Sequence, residues 1–312
     1  MSFTEALKKV RGQFSYETEG ATPKDRPTNI LQWLTLESLD LPIPSRDIEN
    51  TYAPGGGRSP VYSTGKRNWE LTGSFDFKVQ NGDFFAAILG QCVTVFNDPD
   101  YDHTITVADL PYFSIAYGVD AATDVILEFL GCKVNSATIK ASKDEQDLLC
   151  SVEMMACIPS DGSALESLTP ITTKPYVFKE GAFTATNIYA SAKARINSFE
   201  ITVNNNIEVE PAPSIYYPYD LVEGFQEYEL KLNVTLEDDV EWDEIIDDTD
   251  KEYDYSMVFT RGTNDVLTIS GTAKLKAQPW DIDQNAIKAD LEFIPSSVTF
   301  LFNDLITAYN FD

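Results

Sequence analysis

One burial pattern occurs twice in this chain, and the repetition restricts its fold more than any single motif does. Residues 71–89 read LTGSFDFKVQNGDFFAAIL, and residues 228–246 read YELKLNVTLEDDVEWDEII. The two stretches align without a gap at an offset of 157 residues. Leu71, Phe75, Phe77 and Val79 meet Tyr228, Leu232, Val234 and Leu236, all on one face of a period-two strand. The spacing then changes to three and four: Phe85, Ile88 and Leu89 meet Trp242, Ile245 and Ile246. Residues suited to a turn and a helix N-cap mark the change, Asn81 and Asp83 in one copy, Asp238 and Asp239 in the other. Gly90 suits a helix stop. Each copy reads as a strand of about nine residues followed by a short helix.

The flanks follow the same plan. ILQWLTLESLDLPIPS precedes the first copy and INSFEITVNNNIEVEP the second. Each leads into a long, turn-rich connection: residues 48–67 with Gly55, Gly56 and Gly57, and residues 208–224 with Pro211, Pro213 and Pro218. Loops of this length in compact domains are usually functional or disordered. Further strands follow each helix, DVILEFLGCKVNSATIKAS and LLCSVEMMACI in one half, DVLTISGTAKLKA and AIKADLEFIPS in the other. The expected fold is mainly β: two tandem β-sandwich domains, residues 28–160 and 176–312, each with one short flanking helix. An N-terminal arm (1–27) and a linker (161–175) complete the chain. Helices are too few and too short to cover a parallel sheet.

Strand alternation also sorts the polar residues. In INSFEITVNNNIEVEP, the apolar phase of Phe199, Ile201 and Val203 continues at Ile207 and Val209, across three asparagines. Asn204 and Asn206 fall on the opposite face with Ser198, Glu200 and Thr202. Asn205 falls in the apolar phase, which calls for a bulge or a strand-edge position. Lys231, Asn233 and Thr235 face away from the core in one copy, and Ser74, Asp76 and Lys78 in the other.

The chain carries 23 basic and 50 acidic residues, a net charge of −27. That balance opposes a surface that grips nucleic acid or an anionic membrane. It suits solubility, or repulsion of a polyanion. The four cysteines have no C-x-x-C spacing and read as reduced, buried thiols. No apolar signal region and no run of about 18 apolar residues is present, so the expectation is a soluble protein made in a cytoplasm. Ser2 and Glu5 can form a capping box for a short leading helix.

Little in the sequence points to catalysis. His103, in NDPDYDHTITV, reads as a solvated turn before a strand. APGGGRSP lacks the phosphate-loop pattern. Asp281, Asp283, Asn285 and Glu292 match calcium-loop positions one, three, five and twelve, but Ala286 replaces the required glycine and the flanks read as strands. They form a weak metal candidate. No catalytic residue and no cofactor is expected, and Trp33, Trp69 and Trp280 read as core anchors.

The succession FLGCKVNSATIKAS, INSFEITVNNNIEVEP, FQEYELKLNVTLEDD is similar in order and texture to the tail tube proteins of long-tailed, siphovirus-type phages. The resemblance spans most of the chain. It implies sandwich domains with a flanking helix, six to a ring, stacked into a hollow tube. Their strands join into a continuous inner barrel through which DNA passes without specific binding. A tandem chain would need three copies per ring. The implied partners are the chain itself, as homotrimeric rings, and the tail tip or baseplate, tape measure and terminator proteins. The implied location is the virion tail. On this resemblance Ser74, Asp76, Lys78, Ser198, Glu200, Thr202, Asn204, Lys231, Asn233 and Thr235 face the lumen. The two long connections would make inter-ring or inter-subunit contacts through Tyr52, Arg58, Tyr62, Tyr216, Tyr217 and Tyr219, because aromatics and arginine dominate buried contacts. The main alternative is a two-domain β-sandwich binding module, such as a lectin or receptor-binding protein of a virion.

Overall fold

The computed structural model describes residues 10–16, 32–33, 36–51, 62–67, 70–119, 125–161, 171–185, 195–211, 217–235, 252–277, 280–283 and 286–309. The first half runs through β1 (Val10–Tyr16), β2 (Gln32–Trp33), β3 (Leu36–Asp40), the hairpin β4 (Arg46–Thr51) and β5 (Tyr62–Arg67), and β6 (Thr72–Lys78). Helix α1 (Ala86–Leu89) follows, then the hairpin β7 (Gly90–Asn97) and β8 (Asp100–Val107), β9 (Phe113–Val119), β10 (Val125–Ser142), β11 (Leu149–Met155) and β12 (Ile158–Asp161). The second half comprises β13 (Gly181–Ala185), β14 (Arg195–Asn204), β15 (Glu208–Glu210), β16 (Asp220–Val222), β17 (Glu227–Thr235), β18 (Tyr253–Gly262), β19 (Asp265–Ala277), β20 (Trp280–Asp283), β21 (Ala286–Pro295) and β22 (Thr299–Asp304).

Every strand pairing among the described residues is antiparallel, as short connections require. The longest sheet runs β3, β6, β11, β10, β14, β17, β21, with β20 and the end of β19 sharing the eighth place. It does not close into a barrel. Among the described residues its outer edges are β3 at one end and β20 at the other.

Two strands leave this sheet for outer layers. Over its first half β10 pairs with β9 and β12, and β9 continues to β1 and β2. Over its first half β19 pairs with β18 and β22; β18 continues to β13, and β22 to β8 and β7. In β10 the change of layer falls at Gly131 (φ 61), where the register with β9 slips between Phe129 and Cys132. A side chain would strain that left-handed turn, and the bulge re-aims the strand.

The second half repeats the pairing order of the first, including its irregularities. β3 slips against β6 between Leu36 and Ser38, and β14 slips against β17 between Ile196 and Ser198. β10 slips against β11 between Val134 and Ser136, and β19 slips against β21 between Leu275 and Ala277. The hairpin of β7 and β8 is an addition in the first half that the duplicated pattern does not reveal.

One hydrophobic cluster spans both halves. The strand alternation places Phe75, Phe77, Ile201, Val203, Leu230, Leu232 and Val234 in it, as the sequence requires. Phe85, Ile88 and Leu89 are fully buried on α1. Gly90 ends that helix at φ 117, and a Cβ there would lie 2.2 Å from the Ala108 carbonyl oxygen. All four cysteines are buried thiols outside any disulfide. The second expected helix, with Trp242, Ile245 and Ile246, lies outside the described residues, as does the segment around Ser2 and Glu5.

Three features go beyond the sequence reading. First, Val10–Tyr16, within the expected arm, forms β1 and pairs with β9 along its whole length. Phe14 is 1% exposed and packs edge-on against Phe84. Second, α1 has Phe85 at its N-cap, with no side-chain cap from Asn81 or Asp83. The Tyr16 hydroxyl takes over, donating to the Asp83 carbonyl (2.7 Å) and accepting from the Ala87 N–H (3.2 Å). Third, His103 is fully buried. The chain reverses at Asp98 and Pro99, which puts His103 inside β8, in phase with the core residue Ile105. Its Nε2 donates to the Ile306 carbonyl (2.9 Å), its Nδ1 lies 2.7 Å from the Thr94 hydroxyl, and its ring stacks on Tyr309.

Candidate functional site

The long sheet has one greasy and one polar face, and the polar face is continuous across both halves. Cross-strand registers align its side chains in rows. One row runs Ser38, Asp76, Ser151, Thr138, Thr202, Glu229. The next runs Lys78, Leu149, Lys140, Glu200, Lys231, Glu292. The Thr138 and Thr202 hydroxyls meet at 3.1 Å. Asn197 donates to Asn233 and Thr235, and Asn233 donates to Asp290 (2.6 Å). These pairs are the units that hold an antiparallel sheet in register.

Three lysines on this face sit among carboxylates. Lys78 pairs with Asp147 (2.8 Å) and Glu37 (3.2 Å), Lys231 with Glu229 (2.9 Å) and Glu200 (4.0 Å), and Lys276 with Glu292 (3.6 Å). The hydrogen bond to Asp147 raises the Lys78 pKa, and that to Glu229 raises that of Lys231. Because these groups are well exposed, the pairs contribute little to stability. Their effect is on the field: the positive charges are offset locally, and the face keeps an acidic excess.

The expected lumen residues all lie on this one surface. Ser74, Asp76, Lys78, Ser198, Glu200, Thr202, Asn204, Lys231, Asn233 and Thr235 are half-exposed, opposite the buried phase of their strands. The three asparagines divide three tasks. The Asn204 Oδ1 accepts from the Asn206 N–H, and Asn206 takes a left-handed φ of 49 that lets the chain turn. Asn205, just past the end of β14, is 1% exposed. Its Nδ2 donates to the Val134 carbonyl (2.9 Å) beside the bulge in β10 and to the Ile88 carbonyl (3.2 Å) in α1.

The two long connections form separate two-stranded ribbons, β4 with β5 and β15 with β16. Tyr52, Arg58 and Tyr216 lie outside the described residues, and Tyr62 begins β5. Tyr217 is half-buried against the main core, and Tyr219 is exposed. A clamp that sequence reasoning missed anchors the second ribbon. The buried Lys133 of β10 meets Glu223 at 2.5 Å and lies 4.4 Å from the Tyr112 ring center. The Glu223 carboxylate accepts from the Leu110 N–H, and the Tyr112 hydroxyl donates to Asp220. Beneath it Leu110, Cys157, Ile207 and Leu221 form a small core. Arg261 was also missed: it forks onto Asp265, donates to the Gln80 and Lys174 carbonyls, and covers Tyr176. Except for Asp265, four residues from Arg261, these partners come from distant strands or from loops, where no periodicity marks them.

The weak metal candidate is spread along a hairpin. Asp281 and Asp283 lie on β20, opposite Lys288 and Ala286. Glu292 lies farther along β21, opposite Lys231. Asn285 is outside the described residues. The backbone thus forms two paired strands in place of a twelve-residue loop wrapped around an ion. Among the described residues no cluster of three or more ligating side chains suits a metal, and no helix is long and apolar enough to cross a membrane.

A family model described as phage tail tube protein matches residues 17–295, nearly the whole chain. The chain belongs to the phage tail tube protein family. No individual curated protein matches it significantly. As a phage tail tube protein it is a structural component of the virion tail.

Proposed function

We propose that this tail tube protein self-assembles into rings of three copies, stacked into the hollow tube through which viral DNA is delivered. One observation carries the reading. A single open sheet, greasy behind and polar in front, is built from two equivalent halves and ends in strand edges. Such edges invite pairing with another chain, and closing them into a barrel removes the hazard. Three copies would place 24 strands around the ring, eight from each. A strand spacing of about 4.8 Å and a tilt of about 40° give a barrel of roughly 40–50 Å between backbones. That leaves a bore wide enough for a DNA duplex after side chains are allowed for.

The polar face would line the bore. Lys78, Lys231 and Lys276 are offset by neighbouring carboxylates, so phosphates meet no continuous basic stripe and gain little counterion-release attraction. Each half of the chain acts as one tube domain, divided near the expected linker, and the ring has pseudo-sixfold symmetry. The ribbons of β4 with β5 and β15 with β16 reach toward neighbouring rings. Tail tip or baseplate, tape measure and terminator proteins meet the ends and interior of the stack, and the subunit is synthesised in the host cytoplasm.

Negative-stain microscopy of the purified protein tests this directly. Rings or tubes with threefold symmetry and six similar lobes are expected. Discrete small oligomers without a bore would instead favour a two-domain binding module, and true sixfold rings would mean that the chain acts as one elaborated domain.

A further inference from the structure

The junction between the two halves inside one chain assigns the junction between chains. We propose that β20 of one copy pairs antiparallel with β3 of the next, with Asp283 opposite Ser38 and Asp281 opposite Asp40. This inference rests on the ring reading above and adds its partner strands and register.

The internal duplication serves as a ruler. The matched bulges in β3 and β14 set a correspondence of 160 residues, so that Leu39 matches Phe199 and Ile43 matches Val203. The matched bulges in β10 and β19 set one of 141 residues, which carries Val125–Ser142 onto 266–283, that is, onto β19 and β20 together. The register confirms it: Ile139 opposite Cys150 becomes Trp280 opposite Ala289, and Lys140 opposite Leu149 becomes Asp281 opposite Lys288. Within the chain β10 pairs with β14, Ser142 opposite Ser198 and Lys140 opposite Glu200. Their counterparts are the two outer edges of the sheet, β20 and β3. Carrying the register across gives the pairs named above.

Burial points the same way. Val203 is fully buried where β14 meets β10, while its counterpart Ile43 is 66% exposed beside the β3 edge. Ile201 is fully buried, while its counterpart Leu41 is only partly so. Apolar residues that one half covers in the other stand open at the edge, as they would if the next copy covers them. The edges are also guarded. Pro42, just past β3, cannot donate to a ladder, which keeps the pairing at that edge short. Lys140 opposite Glu200 inside the chain becomes Asp281 opposite Asp40 between chains, like charges in direct register that disfavour premature joining.

Disulfide trapping tests the register. Directly opposite residues in an antiparallel ladder have Cα atoms about 4.5–5.5 Å apart, within disulfide reach, whereas diagonal neighbours lie about 7–8 Å apart. The four native cysteines are buried and leave a low background. Ser38→Cys with Asp283→Cys, and separately Asp40→Cys with Asp281→Cys, should give covalent dimers and trimers on a non-reducing gel once rings form. Ser38→Cys with Asp281→Cys should give at least tenfold less in the same time. Mixing the two single variants of a pair should yield only the heterodimer. Rings that form while both in-register pairs fail to cross-link, or an offset pair that links equally fast, would overturn the register and leave the ring reading intact. A parent protein that forms no rings overturns the ring reading itself.

Discussion

Asn205→Ala is the sharpest single test of how the two halves hold together. Asn205 is buried, and its amide serves two carbonyls that belong to different elements, Ile88 of α1 and Val134 of β10. Truncation removes both donors and strands buried acceptors; each lost bond is worth about 1–1.5 kcal/mol net, and more where the acceptor finds no water. One term opposes this. Among the described residues the Asn205 Oδ1 is itself buried without a hydrogen-bond partner, and truncation relieves roughly 1 kcal/mol of that penalty. The balance is a loss of about 1–2 kcal/mol, or roughly 1.5–3 °C in Tm for a chain of 312 residues. Asn205→Asp should be at least as damaging, because it aims a carboxylate at two carbonyl oxygens. Asn205→Leu fills the volume but offers no donor, and should not recover the loss. Urea and thermal unfolding followed by tryptophan fluorescence measure all three. If the alanine variant lies within about 0.5 kcal/mol of the parent, or the leucine variant restores stability, the capping role is wrong and the site is one of packing.

Tyr16→Phe should cost about 1–2 kcal/mol, since it removes the hydroxyl that caps α1 at both a carbonyl and an N–H, and a shift in the urea midpoint reads it. Glu223→Ala leaves Lys133 buried without its carboxylate, so about 3–5 kcal/mol of local stability is lost; limited proteolysis should cut near residues 211–219 several-fold faster, with the rest of the chain protected. Ring formation should quicken as salt rises from low to moderate ionic strength, because the copies carry a charge of −27 each and the proposed junction opposes two aspartates; Asp40→Asn should reduce that dependence in light-scattering kinetics. Replacing Asp76, Glu153 and Glu229 by lysine should make assembled tubes bind duplex DNA measurably at low salt, with affinity falling as salt rises; unchanged DNA binding would argue that this face does not line the bore.

Period-two alternation was enough to assign the faces of β6, β14 and β17 and to sort lumen candidates from core residues, because a strand with one buried face cannot slip by one residue without turning every side chain over. The aligned copies at 71–89 and 228–246 located one equivalent strand in each half, β6 and β17. Misreadings came where local pattern and tertiary position diverge. β7 and β8 expose Val93 and Val95 and bury Cys92 and His103, so their hydrophobicity points to the wrong face. His103 looked like a turn residue, because the acidic run around Pro99 hides how soon β8 begins. The helix cap came from Tyr16, some 70 residues away, where sequence signals for caps look only a few residues ahead.

The sequence by itself determined that the chain is a duplicated β protein with one greasy and one polar strand face. Those features are local: they reside in spacing and composition and need no partner to be read. Only the tertiary structure decided that the two polar faces form one surface, that matching bulges recur in both halves, and that the chain leaves a β3 edge and a β20 edge at opposite ends of the sheet. Strand order and register arise from contacts between residues distant in sequence. Alternation records which way a side chain faces but not which strand lies beside it.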